Sequence, residues 1–222
     1  MQTKHKAFIT KTEGACLPHW TKEAGVYSVT FRLEDSLPAT AREAILRYRQ
    51  EFEATKAKIE APTKGLRMSE EIVLHRLYSA RIDALLDAGA GSCLMRDDRA
   101  ARIVSNALHF FEGTRYRLVA WAVMPNHVHV VFAPISGHSL DAILQSWKGF
   151  TTHKINGLFG RSGRLWQKES YDHLVRGQED LDHHVGYVLN NPVAAGLKDW
   201  PWVGRLNAST FDILTTEARA SI

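Results

Sequence analysis

The chain has 222 residues, 45% of them apolar and 23% charged, which excludes a disordered tail, a collagen and a coiled-coil rod and predicts one to two domains. Lys and Arg number 28 against 24 Asp and Glu, a net charge of +4 that permits a nucleic-acid partner without demonstrating one.

In chain order, residues 25–33 (GVYSVTFRL) are β-branched and aromatic and read as a strand. Residues 38–89 are dominated by Ala, Glu, Arg, Lys and Leu and read as a helical insertion in a single domain. Its first helix ends before Pro62. Its second starts at Ser69, repeats Ile72, Leu77, Ile82, Leu85 and Leu86 at helical spacing, and has Gly89 past its end. Asp97 or Asp98 caps the next helix, with Val104, Leu108 and Phe111 as its buried stripe. Residues 115–124 and 127–134 read as strands joined at Pro125-Asn126, an antiparallel hairpin. Ser139 caps a helix over 139–155 whose Trp147 and Phe150 are assigned to the core. A loop with Gly and Arg follows, then a short strand at 171–176 and a helix at 179–190 closed by Asn191-Pro192. This order predicts an α+β fold with one antiparallel sheet and helices packed on it.

Two cysteines, Cys16 and Cys93, stand far apart and fit a reducing compartment rather than a disulfide framework. No run of 18 apolar residues is present, and MQTKHKAFITKTEG lacks the apolar stretch of a signal peptide. A cytoplasmic protein is expected.

The sharpest motif is Pro125-Asn126-His127-Val128-His129-Val130-Val131-Phe132. Side chains alternate across a strand, so His127 and His129 share one face and can converge on one cation. Alone, such a pair is equally the polar face of a half-buried strand. A second motif is His183-His184-Val185-Gly186-Tyr187-Val188-Leu189-Asn190-Asn191. On a helical wheel Leu181, Val185, Val188 and Leu189 form the apolar stripe. Tyr187 lies off it, with His183 one turn before and Asn191 one turn after. Asn191 can also be read as the cap of a turn starting at Pro192.

Together, MPN before HVHVV, then W-K-x-F-T, L-W-Q-K and H-H-V-x-Y-x-x-x-N-P-V-x-x-G-L resemble the REP-associated tyrosine transposases, single-tyrosine members of the HUH endonuclease superfamily. The resemblance covers about residues 20–36 and 90–205 and leaves the insertion outside it. It implies a ferredoxin-like or palm-type sheet with the histidine strand at its centre and the tyrosine helix crossing nearby. It also implies His127, His129 and Asn191 as ligands of Mg²⁺ or Mn²⁺, and Tyr187 as the nucleophile. The implied reaction is nicking and strand transfer on single-stranded, hairpin-forming repeats through a 5′-phosphotyrosine. The implied setting is the bacterial nucleoid.

A free phenol titrates near 10, so Tyr187 needs the metal or a base such as His183 to ionise. Tyr171 is the rival nucleophile. His173, two residues on, shares its face and either lines the site or packs. Lys148, His153 and Lys154 along the helix, and Arg161, Arg164 and Lys168 around Trp166 in the loop, are candidate DNA contacts, with charges for phosphates and a ring for a base. The alternative for these residues is solvated charge and a core tryptophan. The alternative for the whole chain is a domesticated DNA-hairpin binder without catalysis. A monomer with a complete site is expected, with a dimer exchanging the tyrosine helix as the other arrangement.

Overall fold

The computed structural model describes the backbone of residues 9–13 and 18–22, residues 25–37 and 84–206, and the helical positions Glu43, Arg47, Gln50, Glu51 and Ala54. The chain divides into two units, 1–34 with 94–222, and 35–93.

In the first unit, β1 (Ile9–Glu13) and β2 (Pro18–Lys22) pair antiparallel, an element that the sequence reading does not contain. The main sheet comprises β3 (Tyr27–Arg32), β4 (Tyr116–Val123), β5 (His127–Pro134), β6 (Tyr171–Leu174) and β7 (Val203–Arg205). Its order is β6-β3-β5-β4-β7 and every pair is antiparallel. The histidine strand β5 is therefore the central strand. The turn at Pro125-Asn126 joins β4 to β5, and the Met124 N–H donates to the His127 carbonyl at 2.9 Å. Strand β7 was not foreseen, because three residues around a glycine carry no strand signal.

Among the described residues, three helices cover this sheet: α1 (Asp98–Phe110), α2 (Leu140–Phe159) and α3 (Gln178–Ala194). Asp97, not Asp98, caps α1, accepting from the Arg99 N–H at 2.9 Å. Ser139 caps α2 as expected, but α2 runs past 155 and ends at Gly160, whose φ of +61° suits glycine. Trp147 is buried and its indole N–H donates to the Tyr116 hydroxyl at 3.0 Å. Phe150 is not a core residue. It falls at the margin of the stripe formed by Ile143, Trp147, Thr151 and Ile155 and is 48% exposed.

Alternation gives β5 two different faces. Val128, Val130 and Phe132 join Tyr27, Val29 and Phe31 in a core with residues of α1 and α2. His127, His129, Val131 and Ala133 point the other way, where Val131 and Ala133 pack with Leu181 and Val188 of α3. A bulge in β4 sets Leu118 opposite Phe132 but Ala120 opposite Val131. Val119 is the extra residue, and it packs beside Ala120 in the α3-side core.

Helix α3 does not close at Asn191-Pro192. Pro192 removes one backbone rung in the last turn, and the Ala195 and Leu197 N–H groups close on the Asn191 and Pro192 carbonyls. Asn191 thus stays helical, one turn after Tyr187, rather than capping a following turn. Among the described residues no helix is long and apolar enough to cross a membrane.

In the second unit, residues 84–87 are helical, and Leu37 and Leu86 are buried with Leu85 packed against them. Gly91 has φ +86°, and a Cβ there would meet the Asp35 carbonyl oxygen at 2.4 Å, so the position requires glycine. The expected helix end at Pro62 and helix start at Ser69 lie outside the described residues.

Candidate active site

Six of the eight buried polar side chains among the described residues, Asn126, His127, His129, His173, Asp180 and Asn191, belong to β5 and the turn before it, β6 and α3. Buried polar groups are expensive unless partnered, so this concentration marks a built site. The His127 and His129 imidazoles meet with their Nε2 atoms 2.9 Å apart. Each ring is held from behind. His127 Nδ1 lies 2.7 Å from Asn126 Oδ1, and His129 Nδ1 lies 2.8 Å from Thr30 Oγ1 on the neighbouring strand. An Nδ1–H donated to the carbonyl oxygen of Asn126 leaves the His127 Nε2 lone pair aimed at His129. Burial pushes His127 well below its ordinary pKa, with His129 adding to the effect. Burial also takes His129 down to about 3, with His184 contributing. Both rings are neutral at pH 7, the form that ligates metals.

Asn191 completes the cluster. Its Nδ2 donates to the Tyr187 hydroxyl at 3.1 Å, and its Oδ1 is buried without a hydrogen-bond partner. The carboxamide also faces His127, and a charged His127 would donate to it, which opposes the fall in that residue's pKa. When both imidazoles carry their proton on Nδ1, Asn191 Oδ1 and the two Nε2 atoms all present lone pairs. That donor set lacks a positive centre, so His127, His129 and Asn191 fit a cation. The Tyr187 ring stands edge-on to His129 at 5.4 Å between centroids.

The remaining expectations divide. Tyr171 on β6 is opposite Thr30, which is opposite His129, so it lies two strands from the histidine pair. His173 is buried and its Nε2 lies 2.8 Å from Asp180 Oδ2. His183 is exposed, its ring 5.4 Å from that of His184. His184, which the motif alone gave no role, lies with its ring 4.6 Å from that of His173 and its Nε2 3.7 Å from Asp180 Oδ1. Asp180 and Thr30 were also missed. Alternation in β3 would have put Thr30 on the correct face, but its partner follows only from the strand order.

Lys148, Arg161, Arg164, Trp166 and Lys168 line one groove of about 910 Å³ along the flank of α2, together with the acidic Asp141, Glu169 and Asp172. Lys148 is a loop clamp rather than a free cation. Its Nζ donates to the carbonyls of Gln167, Lys168 and Glu169 at 3.0, 3.2 and 3.4 Å. Burial, then the charge on Arg32, lowers it to about 8. Trp166 is no stacking platform for a base. It is 2% exposed, its indole N–H donates to Thr151 Oγ1 at 2.8 Å, and its ring packs edge-on to Phe31. Lys154 is exposed on α2, its Nζ 5.9 Å from the Phe150 ring, and it is not among the residues lining the groove. Side chains of β6 alternate, so Asp172 reaches the groove while Tyr171 and His173 face α3.

Residues 94–191 match the family described as Transposase IS200 like, and this stretch contains His127, His129, Tyr187 and Asn191. The REP-associated tyrosine transposase of Escherichia coli K12 is 28% identical over 91 residues, covering 39% of this chain and 53% of that protein. The chain spans about half the length of the curated relatives it matches. A solved structure of a REP-associated tyrosine transposase bound to a REP hairpin is 16% identical, with a TM-score of 0.48 over 88% of this chain and 82% of that one.

Proposed function

We propose, from the premise of a chain similar to the IS200-like and REP-associated tyrosine transposases, that this protein nicks and rejoins single-stranded, hairpin-forming DNA through Tyr187. The observation that carries this reading is the meeting of His127, His129, Asn191 and Tyr187 on one face of the sheet, with the Tyr187 hydroxyl bonded to the Asn191 amide at 3.1 Å.

In this reading the Tyr187 oxygen attacks a backbone phosphorus. The new P–O bond to tyrosine forms as the P–O3′ bond breaks, leaving a 5′-phosphotyrosine and a 3′-hydroxyl. The tyrosine proton is lost and the departing 3′-oxygen gains one. Asn191 Nδ2 donates to the Tyr187 oxygen, and that bond strengthens as the phenolate develops. His127, His129 and Asn191 would hold Mg²⁺ or Mn²⁺, which supplies charge stabilisation for the phosphate when bound. Asn126 and Thr30 fix the two imidazoles. The ester energy is conserved in the phosphotyrosine, so a second 3′-hydroxyl can reverse the step.

Arg161, Arg164 and Lys168 offer a phosphate track on the α2 side. The track and Tyr187 lie on opposite faces of the sheet.

The test is incubation of wild type and Tyr187→Phe with labelled hairpin DNA from the host's repeats, in Mn²⁺ or EDTA, read as a covalent adduct on a denaturing gel. An adduct only in wild type with metal supports the reading. Binding without any adduct supports a non-catalytic hairpin binder. An adduct in Tyr187→Phe moves the nucleophile to Tyr171.

A further inference from the structure

We propose a second metal site, formed by His173, Asp180 and His184, that takes a borderline transition-metal dication such as Zn²⁺ and pins α3 to the edge strand β6. None of its residues belongs to the histidine–asparagine cluster, and it stands whether or not Tyr187 is a nucleophile.

The ligand atoms of the three side chains all lie within 4.8 Å of one another. His173 Nε2 is 2.8 Å from Asp180 Oδ2, and His184 Nε2 is 3.7 Å from Asp180 Oδ1. The His173 and His184 rings face each other at 4.6 Å with 33° between their planes. Zinc bound at about 2.0–2.2 Å spaces tetrahedral ligands roughly 3.3 Å apart, so these separations close on one ion with small side-chain shifts. Two imidazoles and one carboxylate suit a borderline ion, whereas Mg²⁺ and Ca²⁺ seek oxygen shells. The Arg176 N–H donates to Asp180 Oδ2 at 3.0 Å and orients the carboxylate as an outer-shell partner does. His173 and Asp180 are buried, and the His184 side chain is 14% exposed. Asp180 and His184 sit one turn apart on α3 and His173 sits on β6. The ion would therefore cross-link the sheet to the helix that carries Tyr187 and Asn191.

The test strips the full chain with chelator and titrates it with Zn²⁺ alone, counting bound metal. A His127→Ala/His129→Ala variant leaves only the proposed site. One Zn²⁺ per chain is expected, with a raised thermal midpoint and an X-ray absorption spectrum showing two imidazoles and oxygen. Adding His173→Ala should abolish uptake. A folded double variant that takes up no Zn²⁺ at micromolar free metal overturns the proposal, as does uptake that survives both His173→Ala and His184→Ala. If the double variant does not fold, wild type decides. Two equivalents, falling to one in His173→Ala, support the site. A single equivalent unchanged by His173→Ala overturns it.

Discussion

The Tyr187 hydroxyl lies 3.1 Å from Nδ2 of Asn191, one helical turn further along α3, and the same carboxamide keeps its Oδ1 buried without a hydrogen-bond partner. One side chain thus positions the candidate nucleophile with its nitrogen and offers a ligand with its oxygen. Asn191→Ala removes both roles at once. Adduct formation should fall at least 10–100-fold, the range for losing a group that orients a metal site. Single-turnover rates on hairpin DNA, with unchanged DNA binding as control, check this.

Thr30→Val leaves the buried His129 Nδ1 without its hydroxyl partner. The expected loss is about 1–3 kcal/mol in urea unfolding, with weaker Mn²⁺ binding. Thr30→Ser keeps the hydroxyl and should recover both. A Thr30→Val protein of wild-type stability would mean that this hydrogen bond contributes nothing.

Lys148 supplies the pH dependence. Its pKa falls from 10.5 to about 8 on folding, because burial and Arg32 disfavour the charge. Between these values the unfolded chain binds more protons than the folded one, so stability rises as pH climbs from about 8 toward 10.5. Over pH 7 to 9 the groove loses a positive charge, and affinity for single-stranded DNA should weaken a few-fold at constant salt. Lys148→Arg stays charged and should flatten that decline. Fluorescence anisotropy titrations at several pH values read both.

Arg161→Ala/Arg164→Ala tests the phosphate track. Each lost contact should lower the slope of log affinity against log salt by about 0.7 for single strands. The covalent step, measured at saturating DNA, should change little, because these side chains lie on the face opposite Tyr187.

Gly204 on β7 packs under Trp121. A Cβ would sit 2.5 Å from the ring carbon Cζ2, so Gly204→Ala should destabilise by about 1–3 kcal/mol. Trp121→Leu in the same chain should relieve part of that loss. Denaturant midpoints of the single and double variants measure the coupling.

Local patterns carried much of this molecule. The β5 span of 127–134, the turn at Pro125-Asn126, the Ser139 cap and the shared face of His127 and His129 all follow from alternation, turn chemistry and capping. Boundaries were weaker. A proline signal stopped α3 at 190, yet Pro192 removes one rung in a last turn that Ala195 and Leu197 then close. A count of positive charges made Lys148 a phosphate contact and Trp166 a stacking ring. Packing made the first a clamp on three carbonyls and buried the second against Phe31.

By itself, the sequence determined the elements from β3 to α3 of the main sheet and its helices, though not β1, β2 or β7, and which side chains share a face, because both depend on neighbours within a turn or a strand. Only the tertiary structure decided which strands adjoin, and so that Thr30 backs His129 and that β6 brings His173 to Asp180 and His184. These are contacts between residues far apart along the chain. Nothing local encodes them, since strand order and burial are set by the joint packing of the whole sheet.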